Sequence, residues 1–174
     1  MGKKYIGVDV GKSGFIAVID NNEYRFCSIK DSDNLTLSKF LLDETLGQSV
    51  AVVIEDVHAL YGSSAEGTFN FGYIKGFLVG LLVAHKIPYT LVQPKEWQSG
   101  IWTNADMVVA HKKVARKDGK EITRKETDAK ATSINAAQRL FPTVDFRKNE
   151  RCSRIDDNKV DALLMAEYGR RKNL

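Results

Sequence analysis

Two carboxylates of this 174-residue chain stand where the sequence predicts buried strands. Asp9 follows the apolar run YIGV, and strand alternation puts it on one face with Tyr5 and Gly7. Glu55 ends a second apolar run, AVVI. A buried charge without a partner is costly, so each acid needs either a local partner or a bound cation. The local alternatives are a cap on the following glycine-rich turn for Asp9 and a salt bridge for Glu55.

A second pair of acids begins the last predicted helix, in the segment RIDDNKVDALLMAEYG. Asp157 and Asp161 are four residues apart, so they project from one helix face and repel each other. Helix capping and the helix dipole account for Asp156 or Asp157. They do not account for Asp161, which lies one turn deeper beside apolar residues. This position favours a bound cation.

Together, Asp9, Glu55, Asp157 and Asp161 offer an all-oxygen ligand set. Mg²⁺ and Mn²⁺ prefer carboxylate and water ligands, and two such ions roughly 4 Å apart form a phosphoryl-transfer site. Four negative charges balance two divalent cations. The three histidines and two cysteines are too widely spaced for a softer metal site. We therefore predict a site for two Mg²⁺ or Mn²⁺ ions.

The elements that must position these acids follow from hydrophobic periodicity. Three consecutive antiparallel strands are predicted near the N-terminus, followed by a helix to about residue 47 and the strand SVAVVIE. A long helix over 65–86, a strand PYTLVQ, a turn or short helix around Trp97 and helices over 128–140 and 157–171 complete the pattern. This order predicts an α/β fold with a mixed sheet and helices on both faces. The charged stretch at about 103–127 is predicted to be a mobile insertion or a helical hairpin.

Composition predicts one compact domain, because 174 residues with 43% hydrophobic content suit a single core. The net charge of +4 suits a polyanionic partner. The N-terminal residues lack the apolar core of a signal peptide, and the longest apolar run is too short for a membrane span. We expect a soluble cytoplasmic protein that does not bind a membrane.

Four segments of the chain, in order, resemble the RuvC-type Holliday junction resolvases, especially the short phage and poxvirus-like members. The segments are IGVDVGKSGFIAVID, AVVIEDVHA, KATSINAAQRLFP and DDNKVDALLMAEYG. The resemblance implies an RNase H-like fold with a mixed five-stranded sheet and helices on both faces. It implies a single nuclease domain over residues 1–174, with a basic insertion or hairpin at about 103–127. In phage-encoded members the protein works in the bacterial host cell.

The resemblance also implies an activity and its residues. The family cuts four-way DNA junctions as a homodimer, by paired metal-dependent nicks that leave 5′-phosphates. Asp9, Glu55, Asp157 and Asp161 would be the catalytic metal ligands, with Asp9 bridging both ions. Some relatives space the last two acids by three residues, which leaves Asp156 and Asn158 as alternatives to Asp157. An in-line attack by a metal-activated water on the scissile phosphate is implied.

Basic residues are the predicted DNA contacts. Residues 111–130 contain eight lysines and arginines against four acids. Such a run is either a solvated face or a clamp for the phosphate backbone. In relatives a basic residue corresponds to Lys130, and an aromatic residue that helps to open the junction corresponds to His58. The predicted nucleic-acid-binding set is Lys12, His58, Lys75, Lys112, Lys113, Arg116, Lys117 and Lys130. Four further cations, Arg147, Lys148, Arg151 and Arg154, could grip a DNA arm.

Three glycines on the long helix, Gly72, Gly76 and Gly80, are four residues apart and form a smooth face. This face could pack against the same helix of a second copy or against its own sheet.

Three other functions compete with junction resolution. The segment GVDVGKSG is also similar to the first phosphate loop of actin-like phosphotransferases, but those enzymes need two domains and this chain has material for one. A nucleic-acid-binding protein without catalysis leaves the buried acids unexplained. A debranching nuclease acting on forks, flaps and three-way junctions stays open, because such selectivity depends on dimer geometry and loop shape.

Overall fold

Five strands form one mixed sheet in the order β3-β2-β1-β4-β5. A computed structural model describes residues 2–11, 13–56, 64–115, 121–148 and 151–174. The strands are β1 (Lys4–Val8), β2 (Phe15–Asp20), β3 (Glu23–Ser28), β4 (Val50–Glu55) and β5 (Tyr89–Val92). β1, β2 and β3 pair antiparallel, whereas β4 is parallel to both β1 and β5. The predicted mixed five-stranded sheet is confirmed.

Helices cover both faces of this sheet, as predicted. On one face, α1 (Asn34–Thr45) and α2 (Ala65–Ala84) bury leucines against Ile6, Val8 and neighbouring sheet residues. On the other face lie α3 (Pro94–Ile101), α4 (Ala129–Leu140) and α5 (Asp157–Lys172). The short helix α3 contains Trp97, where the sequence predicted a turn or helix. The two apolar faces of β1 and β2 therefore belong to separate core clusters.

A glycine in β1 allows α5 to lie directly on the sheet. A Cβ added at Gly7 would come within 2.0 Å of the Ala162 carbonyl oxygen and 2.5 Å of the Ala166 backbone nitrogen. No side chain fits in that space without moving the helix. Because Asp161 adjoins Ala162, this contact brings the first turns of α5 to the end of β1, where Asp9 lies.

The prediction of a helical hairpin at about 103–127 is wrong. The segment contains two antiparallel strands, β6 (Val109–Ala115) and β7 (Glu121–Thr127), which form a separate two-stranded sheet. Their β-branched residues favour strands, but the high charge of the segment masks that pattern in the sequence.

The base of this hairpin is fixed to α4. The Asp128 backbone N–H donates to the Val108 carbonyl at 2.8 Å, and the Val108 N–H donates to Thr132 Oγ1 at 3.1 Å. Asp106, which is 2% exposed, binds the Arg139 guanidinium of α4 at 2.7 and 2.8 Å. The base of the hairpin is therefore held against α4, the helix that also carries Lys130.

α2 is unusually apolar for a helix with so little burial. Only Leu78 and Leu82 are buried along its 20 residues, whereas Phe69 is 72% exposed and Tyr73 50%. By length and composition alone, α2 is long and apolar enough to cross a membrane. The sequence predicted no such segment, because Lys75 interrupts the apolar run. α2 therefore presents an apolar face that the rest of the described chain does not cover.

Candidate active site

Asp9 lies directly after β1, at the edge of the sheet where a tight turn begins. Its side chain is 9% exposed, and its Oδ1 accepts a hydrogen bond from the Gly11 N–H at 3.2 Å. The turn closes through a bond from the Gly14 N–H to the Gly11 carbonyl at 2.8 Å. A Cβ at Gly14 would lie 2.0 Å from the Asp9 carbonyl oxygen, so the turn needs glycine there.

The environment of Asp9 disfavours a charge. Burial is the main cause that raises its pKa to about 8, and the neighbouring carboxylates Glu55, Asp161 and Asp157 raise it further. The hydrogen bond from Gly11 only partly offsets these effects. The predicted local cap is thus present, but it does not compensate the charge. Asp9 is thus within electrostatic reach of the other three predicted acids.

Glu55 reaches this site because β4 runs parallel to β1. Val8 is paired with Ile54, so the residues that follow both strands lie at the same sheet edge. The Trp97 indole N–H donates to Glu55 Oε1 at 3.2 Å, and Trp97 is fully buried. Burial raises the pKa of Glu55, and the Trp97 hydrogen bond counteracts part of that shift. The salt bridge considered from the sequence is replaced by this neutral donor.

Asp161 faces the site from the first turns of α5. Burial raises its pKa to about 7, and the charges of Glu55 and Asp157 add to the shift, while a hydrogen bond from Ser133 lowers it. Its Oδ1 is buried and has no hydrogen-bond partner among the described residues. A carboxylate oxygen in that position lacks the compensation that buried polar groups normally have.

Asp157 and Asp156 have different roles in the structure. Asp156 caps α5, since its side chain accepts from the backbone N–H groups of Asn158 and Lys159. Asp157 forms an ion pair with Lys130 of α4, which is the main effect that lowers its pKa against burial. The charge of Asp157 is among the causes that raise the pKa values of Asp9 and Asp161. The arrangement favours Asp157 over the alternative positions as the fourth acid of the site.

The site fits a hard divalent cation by its chemistry. All four predicted ligands offer carboxylate oxygens, and the unpartnered Oδ1 of Asp161 needs a positive partner. Among the described residues, no three acidic, histidine or cysteine side chains are already gathered closely enough to hold an ion.

The residues predicted to contact DNA lie in different parts of the structure. Lys130 lies at the site, at the start of α4. Lys75 instead forms an ion pair with Asp56, next to Glu55, so it is engaged inside the protein. Lys112 and Lys113 belong to β6 of the hairpin. Four further predicted contacts, Lys12, His58, Arg116 and Lys117, lie outside the described residues.

Sequence reasoning missed two residues of the site. Ser133 follows Lys130 by one helical turn, and this spacing would have placed it on the same face. Trp97 lies 42 residues from Glu55, and no local pattern predicts a contact between them.

In sequence, the chain matches no protein-family model and no curated protein. In structure, it is similar to RuvC from T. thermophilus, solved in complex with a Holliday junction substrate. The TM-score is 0.56 at 11% identity, and the match covers 98% of this chain and 96% of the other. The chain therefore has the RuvC-type, RNase H-like fold that the resemblance implied.

Proposed function

We propose that this protein is a metal-dependent endonuclease that resolves four-way DNA junctions. The observation that carries the proposal is that Asp9 lies at one edge of the sheet within electrostatic reach of Glu55, Asp157 and Asp161, where burial and these three charges raise its pKa. The RuvC-type fold supports it, and the match over 98% of the chain supports a single nuclease domain. The narrower relation to phage and poxvirus-like members rests on the four sequence segments.

The four carboxylates of Asp9, Glu55, Asp157 and Asp161 would hold two Mg²⁺ or Mn²⁺ ions. Bound there, the ions supply a water of lowered pKa and stabilise the leaving 3′-oxygen, which yields a 5′-phosphate. Trp97 orients Glu55 through its indole N–H, and the Ser133 hydroxyl orients Asp161. Lys130, 75% exposed at its side chain, would exchange Asp157 for a DNA phosphate.

Paired nicks require two active sites, and we propose that α2 forms the contact between two copies. A Cβ added at Gly72, Gly76 or Gly80 would meet nothing within 4 Å, so the glycine face does not pack on its own sheet. Phe69 and Tyr73 on the same helix are exposed. An apolar helix face with small residues allows close approach of a second helix and is typical of a protein interface.

The dimer is tested by light scattering of the wild type and of Gly76→Lys, with Lys39→Glu on α1 as a control for a surface charge change. We expect a dimer for the wild type and the control, and a monomer for Gly76→Lys. A wild type that is monomeric at micromolar concentration, or that binds lipid vesicles through α2, would contradict this interface.

The activity is tested with synthetic four-way junctions, replication forks and plain duplex in Mg²⁺. We expect symmetric nicks in the four-way junction, with slower cutting of the fork and none of the duplex. Asp161→Asn should bind the junction and not cut it, and Ser38→Ala on α1 should behave like the wild type. Equal cutting of forks and junctions would indicate a debranching nuclease, and cleavage without a divalent ion would contradict the site.

A further inference from the structure

A cleft of about 460 Å³ has Asp157 in its lining, but none of the other three proposed metal ligands. Three cations from separate parts of the chain line it: Lys30 after β3, and Lys148 and Arg154 before α5. The last two are brought together by backbone pairing, in which the Lys148 N–H donates to the Arg154 carbonyl at 3.2 Å. This pairing gives the cationic wall a fixed position relative to α5.

The lining of the cleft also includes two apolar residues, one of which adjoins Asp9. Phe15 and Ile155 line it, and both are partly buried against the core. The Phe15 carbonyl accepts a hydrogen bond from the Asp9 N–H at 3.0 Å. Phe15 is therefore a direct neighbour of Asp9 and also lines the cleft. The hydroxyl groups of Ser13 and Ser28 complete a lining of aromatic, polar and cationic groups.

The acids of the cleft are already engaged, whereas its cations are not. Asp156 caps α5, Asp157 pairs with Lys130, and Asp31 accepts from Ser28 Oγ at 2.7 Å. No hydrogen bond or ion pair to a described residue engages the side chains of the three cations. Arg154 is near enough for its charge to lower the pKa of Asp157. The charged and aromatic side chains left without a hydrogen bond or ion pair are thus the three cations and Phe15, although Asp31 and Asp156 keep their negative charges.

We propose that this cleft binds one unpaired nucleotide of the cut strand, adjacent to the scissile phosphate. Its phosphate would lie among Lys30, Lys148 and Arg154, and its base would stack on Phe15. The volume is within the range of sites for small organic ligands, and stacking requires a base released from its pair. This inference rests on the proposed nuclease function. It adds the requirement that the cut strand releases one base from its pair next to the scissile phosphate.

The test is a binding scan in EDTA, using four-way junctions with one abasic site at each position around the cleavage point. For the wild type, one position within two nucleotides of the scissile phosphate should weaken binding about fivefold or more, as loss of a stacked base does. Phe15→Leu should weaken binding to the intact junction and be insensitive to that same abasic site. A mere packing defect in Phe15→Leu would lower affinity for both junctions equally, and this result would overturn the proposal.

The cationic wall is tested separately by the salt dependence of junction binding. Because the two lysines would contact one phosphate, Lys30→Gln with Lys148→Gln should lower the slope of log affinity against log salt by about 0.7, the value for one single-strand phosphate contact. Lys39→Gln with Lys172→Gln removes two exposed lysines from α1 and the far end of α5 and should leave the slope unchanged. Equal slopes for the two double variants would overturn the assignment of the wall.

Two outcomes separate this inference from the proposed function. A wild type that binds junctions no better than duplex would refute the proposed function, whereas junction binding with a flat abasic profile refutes the cleft alone. A free deoxynucleoside monophosphate, titrated by calorimetry, should not bind measurably without the strand around it. Tight binding of that free nucleotide would assign the cleft to a small-molecule ligand and overturn the inference.

Discussion

Replacing Asp161 with asparagine should stabilise the protein when no divalent ion is present. Asparagine has nearly the same size, keeps an oxygen that accepts the Ser133 hydrogen bond, and carries no charge. Burial and the carboxylates of Glu55 and Asp157 raise the pKa of Asp161 from 3.8 to about 7. The substitution therefore removes a group whose ionisation opposes folding.

The size and the pH range of this effect follow from linkage. Because the pKa of the carboxyl is raised in the folded state, its favourable contribution is complete below about pH 4 and is lost as the pH rises to 7. A difference of about 3 pKa units corresponds to on the order of 4 kcal/mol in the free energy of unfolding. The advantage of Asp161→Asn over the wild type should thus be near zero at pH 4 and largest above pH 7.

Urea unfolding of both proteins in EDTA, from pH 4 to pH 8, measures this difference. Added Mg²⁺ should raise the stability of the wild type at pH 8 and have little effect on Asp161→Asn, because a ligand stabilises only the state that binds it. Asp43→Asn on α1 serves as the matched control and should show no pH-dependent gain. A variant that is less stable than the wild type at pH 8, or a gain that does not depend on pH, would refute the reasoning.

Three further substitutions test the surroundings of the site. Trp97→Phe removes the indole N–H that donates to Glu55. Because a hydrogen bond to a charged group is lost, steady-state kinetics should show a kcat lower by about 10-fold or more with KM nearly unchanged. A change in KM alone would contradict the positioning role of Trp97. Lys130→Gln frees Asp157, so calorimetry should show several-fold tighter Mg²⁺ binding, while the salt slope of junction binding falls by about 1; weaker Mg²⁺ binding would contradict the competition between Lys130 and the ion. Arg139→Met removes the charged partner of the buried Asp106 and leaves it only the hydrogen bonds from Thr103. The Arg139 guanidinium lowers the pKa of Asp106 from 3.8 to about 2, so its stabilising contribution is present above pH 4 and lost toward pH 2. Urea unfolding should show a loss of roughly 2 kcal/mol at pH 7 that disappears toward pH 2, and an unchanged stability at pH 7 would show that the pair does not anchor the hairpin.

The sheet and most helices are predictable from this sequence because their apolar residues follow the strand and helix periods closely. The grouping of Asp9 with Glu55 is also predictable in outline, since each acid ends an apolar strand pattern. Their distance from α5 depends on Gly7. The need for glycine at this position cannot be predicted from the sequence, because it comes from the Ala162 carbonyl oxygen that packs against it.

The remaining features depend on contacts between residues far apart in the chain. Lys130 and Asp157 meet because α4 and α5 pack together, and Trp97 reaches Glu55 from a helix beyond β5. The strands β6 and β7 cannot be predicted from the sequence, because their charged residues suit either a solvated helix or a solvated hairpin. The cleft beside Asp157 combines β2, the chain after β3 and the chain before α5, and no single segment predicts it.

The most direct test of the central claim is anomalous diffraction from crystals grown with Mn²⁺. We predict two ions roughly 4 Å apart, with oxygens of Asp9, Glu55, Asp157 and Asp161 about 2.1 Å away and Asp9 contacting both. Lys130 should then have left Asp157. Anomalous density elsewhere, or an Asp9 carboxylate that contacts no ion, would contradict the account.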